Sequence, residues 1–189
     1  DKIKRNCDAT TGDVLILGKG LGVGILGAAM NKDELDAGGY AEMVKSTTKL
    51  NSIGADLAEM KGVNAVTDVT GFGLLGHLYE VCEGSNLAAR LDWTNLPILP
   101  NALGYAKKGY NTGAANRNWT SFGDHVTVPE GMEQWQRNLL VDPQTSGGLL
   151  VSCLPEHANA VVELFHKQDY EFATIVGEMS TGIPHVTVR

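Results

Sequence analysis

Three glycine-rich turns, each joined directly to a predicted strand, constrain the fold of this 189-residue chain more than any other feature. The turns cover residues 18–24, 70–73 and 142–148. Apolar runs at residues 14–17 and 149–151 adjoin the first and third turns, and residues 64–69 before the second turn also indicate a strand. Short apolar runs bounded by glycine are typical of buried strands. The pattern therefore predicts strands that alternate with helices in one layered α/β domain with the sheet in the middle.

The remaining periodicity extends this prediction along the chain. Strands are expected at residues 14–17, 64–69, 87–91, 148–153, 173–178 and 185–188, the last as an edge strand. Helices are expected at residues 25–31, 40–60, 74–83, 102–108 and 155–168. Residues 92–133 contain three prolines and little periodicity, so they are predicted to form a long irregular connection with one short helix.

Composition excludes several classes of function. The formal net charge is -7 and no Lys/Arg cluster interrupts it, so the chain is not expected to bind nucleic acid or a membrane. The cysteines, Cys7, Cys82 and Cys153, form no CxxC pair, which argues against zinc or disulfides and favours a reducing cytoplasm. The five histidines show no metal-ligand spacing, and we interpret His77 as a packed residue rather than a base.

The first and third turns each allow two interpretations. A GxGxxG pattern at residues 22–27 opens a helix, where free N–H groups favour phosphate and Lys19 adds positive charge. The alternative is a tight turn that packs against the sheet. In residues 142–148, small hydroxyl residues beside paired glycines permit close approach of a ligand to the backbone. The alternative there is an Asp-Pro turn that leads into a strand.

The second turn carries the sharper signal. Its GxGxxG at residues 71–76, with Asp92 about 20 residues further on, formally satisfies the dinucleotide-binding fingerprint. However, an unpaired Asp68 carboxylate just before the turn would repel a pyrophosphate. A divalent cation between the carboxylate and phosphates removes that objection, and Thr67 and Thr70 offer hydroxyls nearby. A metal-phosphate role for Asp68 is therefore favoured over the alternative of an N-cap or turn acceptor.

Taken together, the turns resemble one family. The resembling segments are residues 12–22 (GDVLILGKGLG), 50–51 (LN), 67–78 (TDVTGFGLLGHL), 117–118 (RN) and 142–150 (DPQTSGGLL). They resemble the selenophosphate synthetases (selenide, water dikinases) of the aminoimidazole ribonucleotide synthetase superfamily. The resemblance implies a three-layer α/β/α sandwich with a mixed central sheet, like the carboxy-terminal domain of that superfamily. It also implies a reaction in which ATP, selenide and water give selenophosphate, AMP and phosphate, with Mg²⁺.

The resemblance further implies a division of labour between two domains. It assigns residues 1–11 to a linker from an amino-terminal ATP-binding domain and residues 12–189 to the carboxy-terminal domain. Catalytic groups are expected in the amino-terminal domain, none in this chain, and the full-length protein is expected to be a cytoplasmic homodimer. Here the family's metal aspartate corresponds to Asp68. Expected nucleotide or phosphate contacts are Lys19, Thr67, Thr70, Gly71, Gly73, Asn118, Asp142, Gln144, Thr145, Ser146 and Gly147.

Two other functions stay open at this point. One is a dinucleotide-binding module on the turn at residues 71–76. The other is a non-catalytic domain that docks a partner protein.

Overall fold

The computed structural model describes residues 2–189 and contains one seven-stranded sheet. Its strands are β1 (Val14–Leu17), β2 (Val63–Asp68), β3 (Ala88–Leu91), β4 (Val126–Thr127), β5 (Leu149–Cys153), β6 (Thr174–Ser180) and β7 (His185–Val188). They lie in the order β2-β5-β1-β6-β3-β7-β4. Neighbouring strands are antiparallel from β2 to β3, whereas β3, β7 and β4 run parallel. The expectation of a mixed sheet is confirmed.

Eight α-helices of residues 2–189 pack around the sheet. They are α1 (Val23–Met30), α2 (Ala37–Thr48), α3 (Gly54–Glu59), α4 (Gly73–Ser85), α5 (Pro100–Lys107), α6 (Gly113–Phe122), α7 (Gln134–Leu140) and α8 (Ala158–Lys167). Within residues 2–189, none of these helices combines the length and the apolar character that a membrane span requires.

The two faces of the sheet carry separate cores. Successive side chains of a strand point to opposite faces, and in β1 Leu15 and Leu17 join the core under α4 and α6, whereas Ile16 joins the core under α3 and α8. All three side chains are fully buried. A third apolar cluster joins α1, α5 and α7. The expected three-layer α/β/α arrangement is therefore confirmed.

Residues 92–133, expected to be mostly irregular, are the largest correction to the sequence-based prediction. They contain α5, which corresponds to the one short helix predicted, and also α6 and β4, with 3-10 turns at Trp93–Asn95 and Gly123–His125. Thr112 caps the start of helix α6, since its hydroxyl accepts a hydrogen bond from the N–H of Ala115. Helix α7, also missed, begins with a capping box formed by Glu133 and Gln136. Capping side chains, rather than a clear apolar stripe, define both helix starts, and the periodicity therefore did not reveal them.

The single helix predicted over residues 40–60 is also wrong, because α2 and α3 are separate. The Lys19 ammonium donates hydrogen bonds to the carbonyl oxygens of Ser46 and Lys49 at the end of α2. Carbonyl groups at a helix end need partners outside the helix, and a side chain distant in sequence supplies them here.

Two further boundaries differ from the prediction. Strand β7 is not an edge strand, because it lies between β3 and the two-residue β4, which is too short to give a sequence pattern. The helix predicted over residues 155–168 begins as a 3-10 turn, and α8 starts only at Ala158.

Candidate functional site

Sheet register brings the three glycine-rich loops to one edge of the sheet. We call residues 18–24 the first loop, residues 67–73 the second loop and residues 142–148 the third loop. Strand β5 is antiparallel to both β1 and β2, with Leu17 opposite Leu150 and Asp68 opposite Leu149. The start of β5 therefore lies beside the ends of β1 and β2. The N–H of Gly18 donates to the carbonyl of Leu149 at 2.9 Å, so the first loop continues this pairing.

Gln144 is the residue that joins all three loops. Its backbone N–H donates to the carbonyl of Thr70 at 2.9 Å, and its side-chain oxygen accepts from the N–H groups of Gly22 and Val23 at 3.2 Å. Its side-chain nitrogen donates to the carbonyl of Asp142 at 2.7 Å. Gln144 is only 3% exposed. It therefore holds the loops together from inside the protein and does not face a ligand.

Asp142 is a buried carboxylate at the amino-terminal end of α1. Its Oδ2 accepts hydrogen bonds from the N–H groups of Gly24 and Ile25 at 3.0 and 3.2 Å. A negative charge at a helix start is favourable, but this side chain is completely buried, and among residues 2–189 its Oδ1 has no hydrogen-bond partner. Burial raises the pKa of Asp142 from its ordinary value of 3.8 to about 7, against the opposing effect of those hydrogen bonds.

The raised pKa of Asp142 predicts a specific pH dependence of stability. The folded chain binds this proton more tightly than the unfolded chain, so the free energy of unfolding falls as pH rises from about 4 to about 7. In Asp142→Asn this pH dependence should be absent. Between about pH 5 and pH 7 the free energy of unfolding of the wild type should therefore fall by about 2 kcal/mol relative to that of the variant. Urea denaturation of both proteins across this range measures the difference. Parallel stability curves would contradict the assignment.

Lys19 lies inside the protein, although the sequence suggested a phosphate contact. Its side chain is 5% exposed, and its Nζ donates to the carbonyl oxygens of Ser46, Lys49 and Ser146 at distances of 2.5 to 3.3 Å. An ammonium has three N–H donors, and three carbonyls occupy them. Burial, with the nearby charge of Lys49, lowers the pKa of Lys19 to about 8. Lys19 thus ties the third loop to the end of α2.

Asn118 and Gly73 bind the second loop to α6 and to the end of α7. Asn118 is buried, and its side-chain nitrogen donates to the carbonyls of Gly71 and Val141 at 2.9 and 3.0 Å. Gly73 has φ of 69°, and a Cβ there would lie 2.5 Å from the carbonyl carbon of Val141. Only glycine fits this left-handed, crowded position.

Gly147 marks the closest approach of the third loop to the second. A Cβ on Gly147 would lie 1.9 Å from the carbonyl oxygen of Val69, and its own carbonyl accepts a hydrogen bond from the side chain of Asn51 at 2.8 Å. Asn51 was part of the family resemblance but not among the expected contacts. Its side chain connects the segment between α2 and α3 to the loops.

The residues that can reach a ligand are a smaller set than the sequence suggested. Four expected contacts are exposed and two are half-buried: Asp68, Gly71, Thr145 and Ser146, then Thr67 and Thr70. Asp68 and Thr67 line an open cavity of about 590 Å³ beside α3, together with Asn51. The structure thus separates exposed residues at the loop surface from buried residues that position them.

The side-chain oxygen atoms at this cavity suit a hard cation such as magnesium. Among residues 2–189, no side chain donates a hydrogen bond or forms an ion pair with the Asp68 carboxylate, and the buried side-chain oxygen of Asn51 also has no partner. Magnesium takes oxygen ligands and is often bound by one or two carboxylates together with phosphate and water. The same residues contain no cluster of three or more His, Cys, Asp or Glu side chains that could hold a metal alone. Asp68 therefore suits a cation shared with a phosphate ligand.

His77 contributes a hydrogen-bond chain that the sequence interpretation did not anticipate. Its Nδ1 lies 2.9 Å from a carboxylate oxygen of Glu80, and its Nε2 lies 3.2 Å from the hydroxyl of Thr70. His77 is buried under the ring of Phe72. The HxxE spacing on α4 is the sequence signal for this pair, because residues three apart share a helix face. These two hydrogen bonds together orient the Thr70 hydroxyl.

The sheet order argues against a dinucleotide-binding module. The fingerprint requires a strand, a glycine turn, a helix and a neighbouring parallel strand. Here β2 and β3, which flank α4, are separated by β5, β1 and β6. Asp92, the residue expected at the ribose, forms an ion pair with Arg189 at 2.6 Å. Gly76 faces Phe122, because a Cβ there would lie 2.9 Å from that ring.

The fold and the loop arrangement define the class of protein. Residues 10–188 match the family described as AIR synthase related protein, C-terminal domain, and the chain belongs to that family. Among solved structures, Escherichia coli HypE has a TM-score of 0.72 at 18% identity and covers 98% of this chain and 48% of its own. Thiamine-monophosphate kinase from Stenotrophomonas maltophilia K279a has a TM-score of 0.67 at 19% identity, with 98% and 52% covered. At such identities the likeness shows the fold alone.

Curated relatives of this chain carry one common name, selenide, water dikinase. This chain is 52% identical over 187 residues to the selenide, water dikinase of Paraburkholderia xenovorans, covering 99% of this chain and 53% of that protein. It is 51% identical over 188 residues to the selenide, water dikinase of Dechloromonas aromatica, covering 100% of this chain and 54% of that protein. The chain therefore spans about half the length of the curated relatives it matches.

Proposed function

We propose that this chain forms the carboxy-terminal half of a selenide, water dikinase, which makes selenophosphate, AMP and phosphate from ATP, selenide and water. The agreement with enzymes of that name over the whole chain supports this proposal. Their greater length supports a further half of the protein. In the proposal this half is amino-terminal and precedes residue 12, with residues 1–11 as the linker. The proposal includes a cytoplasmic homodimer that assembles mainly through the amino-terminal half.

The observation that carries the proposal is the Asp68 carboxylate, which lies exposed in the second loop and lines the open cavity beside α3. In this proposal Asp68 holds Mg²⁺, and that cation, when bound, neutralises charge on the phosphate oxygens. This chain forms one wall of the site, and the groups that carry out the transfer belong to the amino-terminal half.

The other residues divide into contact and positioning roles. We propose that the exposed backbone of Gly71 and the side chains of Thr145 and Ser146 contact phosphate or nucleotide, with Thr67 and Thr70 beside them. The expected contacts that the fold buries position these groups instead, because their polar atoms bind the loops themselves: Lys19, Gly73, Asn118, Asp142, Gln144 and Gly147. Phosphoryl transfer depends mainly on such positioning and on charge neutralisation.

Reconstitution from two halves tests the function. This chain is mixed with a separately produced amino-terminal half from the same gene, and AMP formation from ATP is followed by phosphorus NMR with and without selenide. We expect selenide-dependent AMP only when both halves are present. The intact protein is the control for reassembly. An intact protein that forms no AMP from ATP and selenide would refute the proposed function.

A further inference from the structure

The segment before the first strand forms part of the wall of the Asp68 cavity. Residues 2–6, which the resemblance assigns to a linker, contribute four of the residues that line it: Lys2, Ile3, Lys4 and Asn6. The segment is held at both ends. The Lys2 ammonium lies 2.5 Å from a carboxylate oxygen of Glu59 at the end of α3, and the N–H of Ala9 donates to the hydroxyl of Ser85 at 3.1 Å. It therefore lies against the domain rather than away from it.

Two of the charges in this cavity are opposite in sign and unpaired among residues 2–189. Its charged lining consists of Lys2, Lys4 and Asp68. Lys2 is paired with Glu59, whereas the half-buried Lys4 forms no ion pair or side-chain hydrogen bond with any residue from 2 to 189. Lys4 and Asp68 line the same cavity without coming within the 4.0 Å of an ion pair. The space between them can hold a ligand that meets both charges.

The chemistry of the two groups indicates which ligand fits. A carboxylate attracts a cation, and an ammonium attracts phosphate oxygens through charge-assisted hydrogen bonds. A nucleotide polyphosphate with a divalent cation presents both charges side by side. We infer that Lys4 binds a phosphate group of the nucleotide in the cavity where Asp68 faces the cation. The inference rests on the proposed function and makes the linker part of the binding site.

The neighbouring Arg5 provides a matched control. It lies on the same segment and carries the same charge, but its guanidinium binds Asp8 through two hydrogen bonds of 2.6 and 2.8 Å, and it does not line the cavity. Lys4→Gln and Arg5→Gln therefore change the net charge equally and differ in whether the lost group faces the cavity. Lys4→Arg keeps the charge at the cavity.

The test is equilibrium binding of a methylene-bridged ATP analogue to the full-length protein, measured by calorimetry with and without Mg²⁺. Lys4→Gln should weaken binding about tenfold in the presence of Mg²⁺, because charge-assisted hydrogen bonds to phosphate are lost. Lys4→Arg should bind within about threefold of the wild type, and Arg5→Gln within about twofold. Lys4→Gln should still bind more tightly with Mg²⁺ than without it, and Asp68→Asn should lose that difference.

The possible failures are distinguishable. If Asp68→Asn loses the Mg²⁺ effect while Lys4→Gln binds like the wild type, the role of Lys4 is overturned and the proposed function stands. An equal loss in Lys4→Gln and Arg5→Gln also overturns it, because net charge alone would then explain both. If the wild-type protein binds no nucleotide, the proposed function fails and the role of Lys4 fails with it.

Discussion

Asp68→Asn should lower selenide-dependent AMP formation by at least about 100-fold in the protein that contains both halves. Asparagine keeps the size of the side chain and removes its charge, so the cation would be held poorly. The reaction would then lose the several kcal/mol by which a bound cation stabilises the charge that develops in the transition state. The fold should be unaffected, because the carboxylate is exposed and binds no other side chain among residues 2–189. We expect a free energy of unfolding within about 0.5 kcal/mol of the wild type.

Asp92→Asn is the matched control for this variant. It removes one carboxylate at the end of another strand, where Asp92 pairs with Arg189 away from the cavity. Its AMP formation should stay within about twofold of the wild type, because Asp92 does not line the cavity and an ion pair at the surface contributes little to stability. Phosphorus NMR of both variants under the same conditions gives the comparison. Wild-type activity in Asp68→Asn would eliminate Asp68 as a cation ligand. Loss of activity in Asp92→Asn would instead favour the role in dinucleotide binding that the fingerprint gives to Asp92.

Gly147→Ala should destabilise the chain by about 3 kcal/mol, the upper end of what overpacking costs. The added Cβ would lie 1.9 Å from the carbonyl oxygen of Val69 and 2.7 Å from the Cβ of Gln144. The first of these contacts is with backbone, which cannot rotate away. The second and third loops would have to separate, which weakens the hydrogen bond of 2.9 Å from the N–H of Val69 to the carbonyl of Gly148. The melting temperature should fall by about 6–12 °C.

Gly71→Ala tests whether the effect belongs to crowding or to glycine itself. Gly71 lies in the second loop, is exposed, and would have no atom within 4 Å of an added Cβ. Its stability should change by no more than about 0.5 kcal/mol. Calorimetric melting of the two variants and the wild type provides the measurement. Equal melting temperatures for Gly147→Ala and Gly71→Ala would show that the loops can separate without cost.

The parts of the fold that sequence predicted well are those in which local pattern and burial agree. Strands β1 and β5 are short, mostly apolar runs beside glycine, β2 leads into a glycine-rich turn, and the positions of all three were predicted within one or two residues. Helices α6 and α7 were missed because their starts depend on the side chains of Thr112 and Glu133 rather than on an apolar stripe. Helix α2 ends where the distant Lys19 meets its last carbonyls, which no local window contains.

The candidate site divides in the same way. The sequence by itself determined that a carboxylate and small polar residues stand beside glycines at strand ends, since these requirements are local: a sharp turn and an available charge. Tertiary structure alone decided which of them face solvent. Gln144 binds Gly22 across 122 positions of sequence, and Lys19 binds Ser146 across 127. Such contacts exist only because β5 pairs with β1 and β2, and this pairing buries Lys19, Asp142 and Gln144 while Asp68 stays exposed.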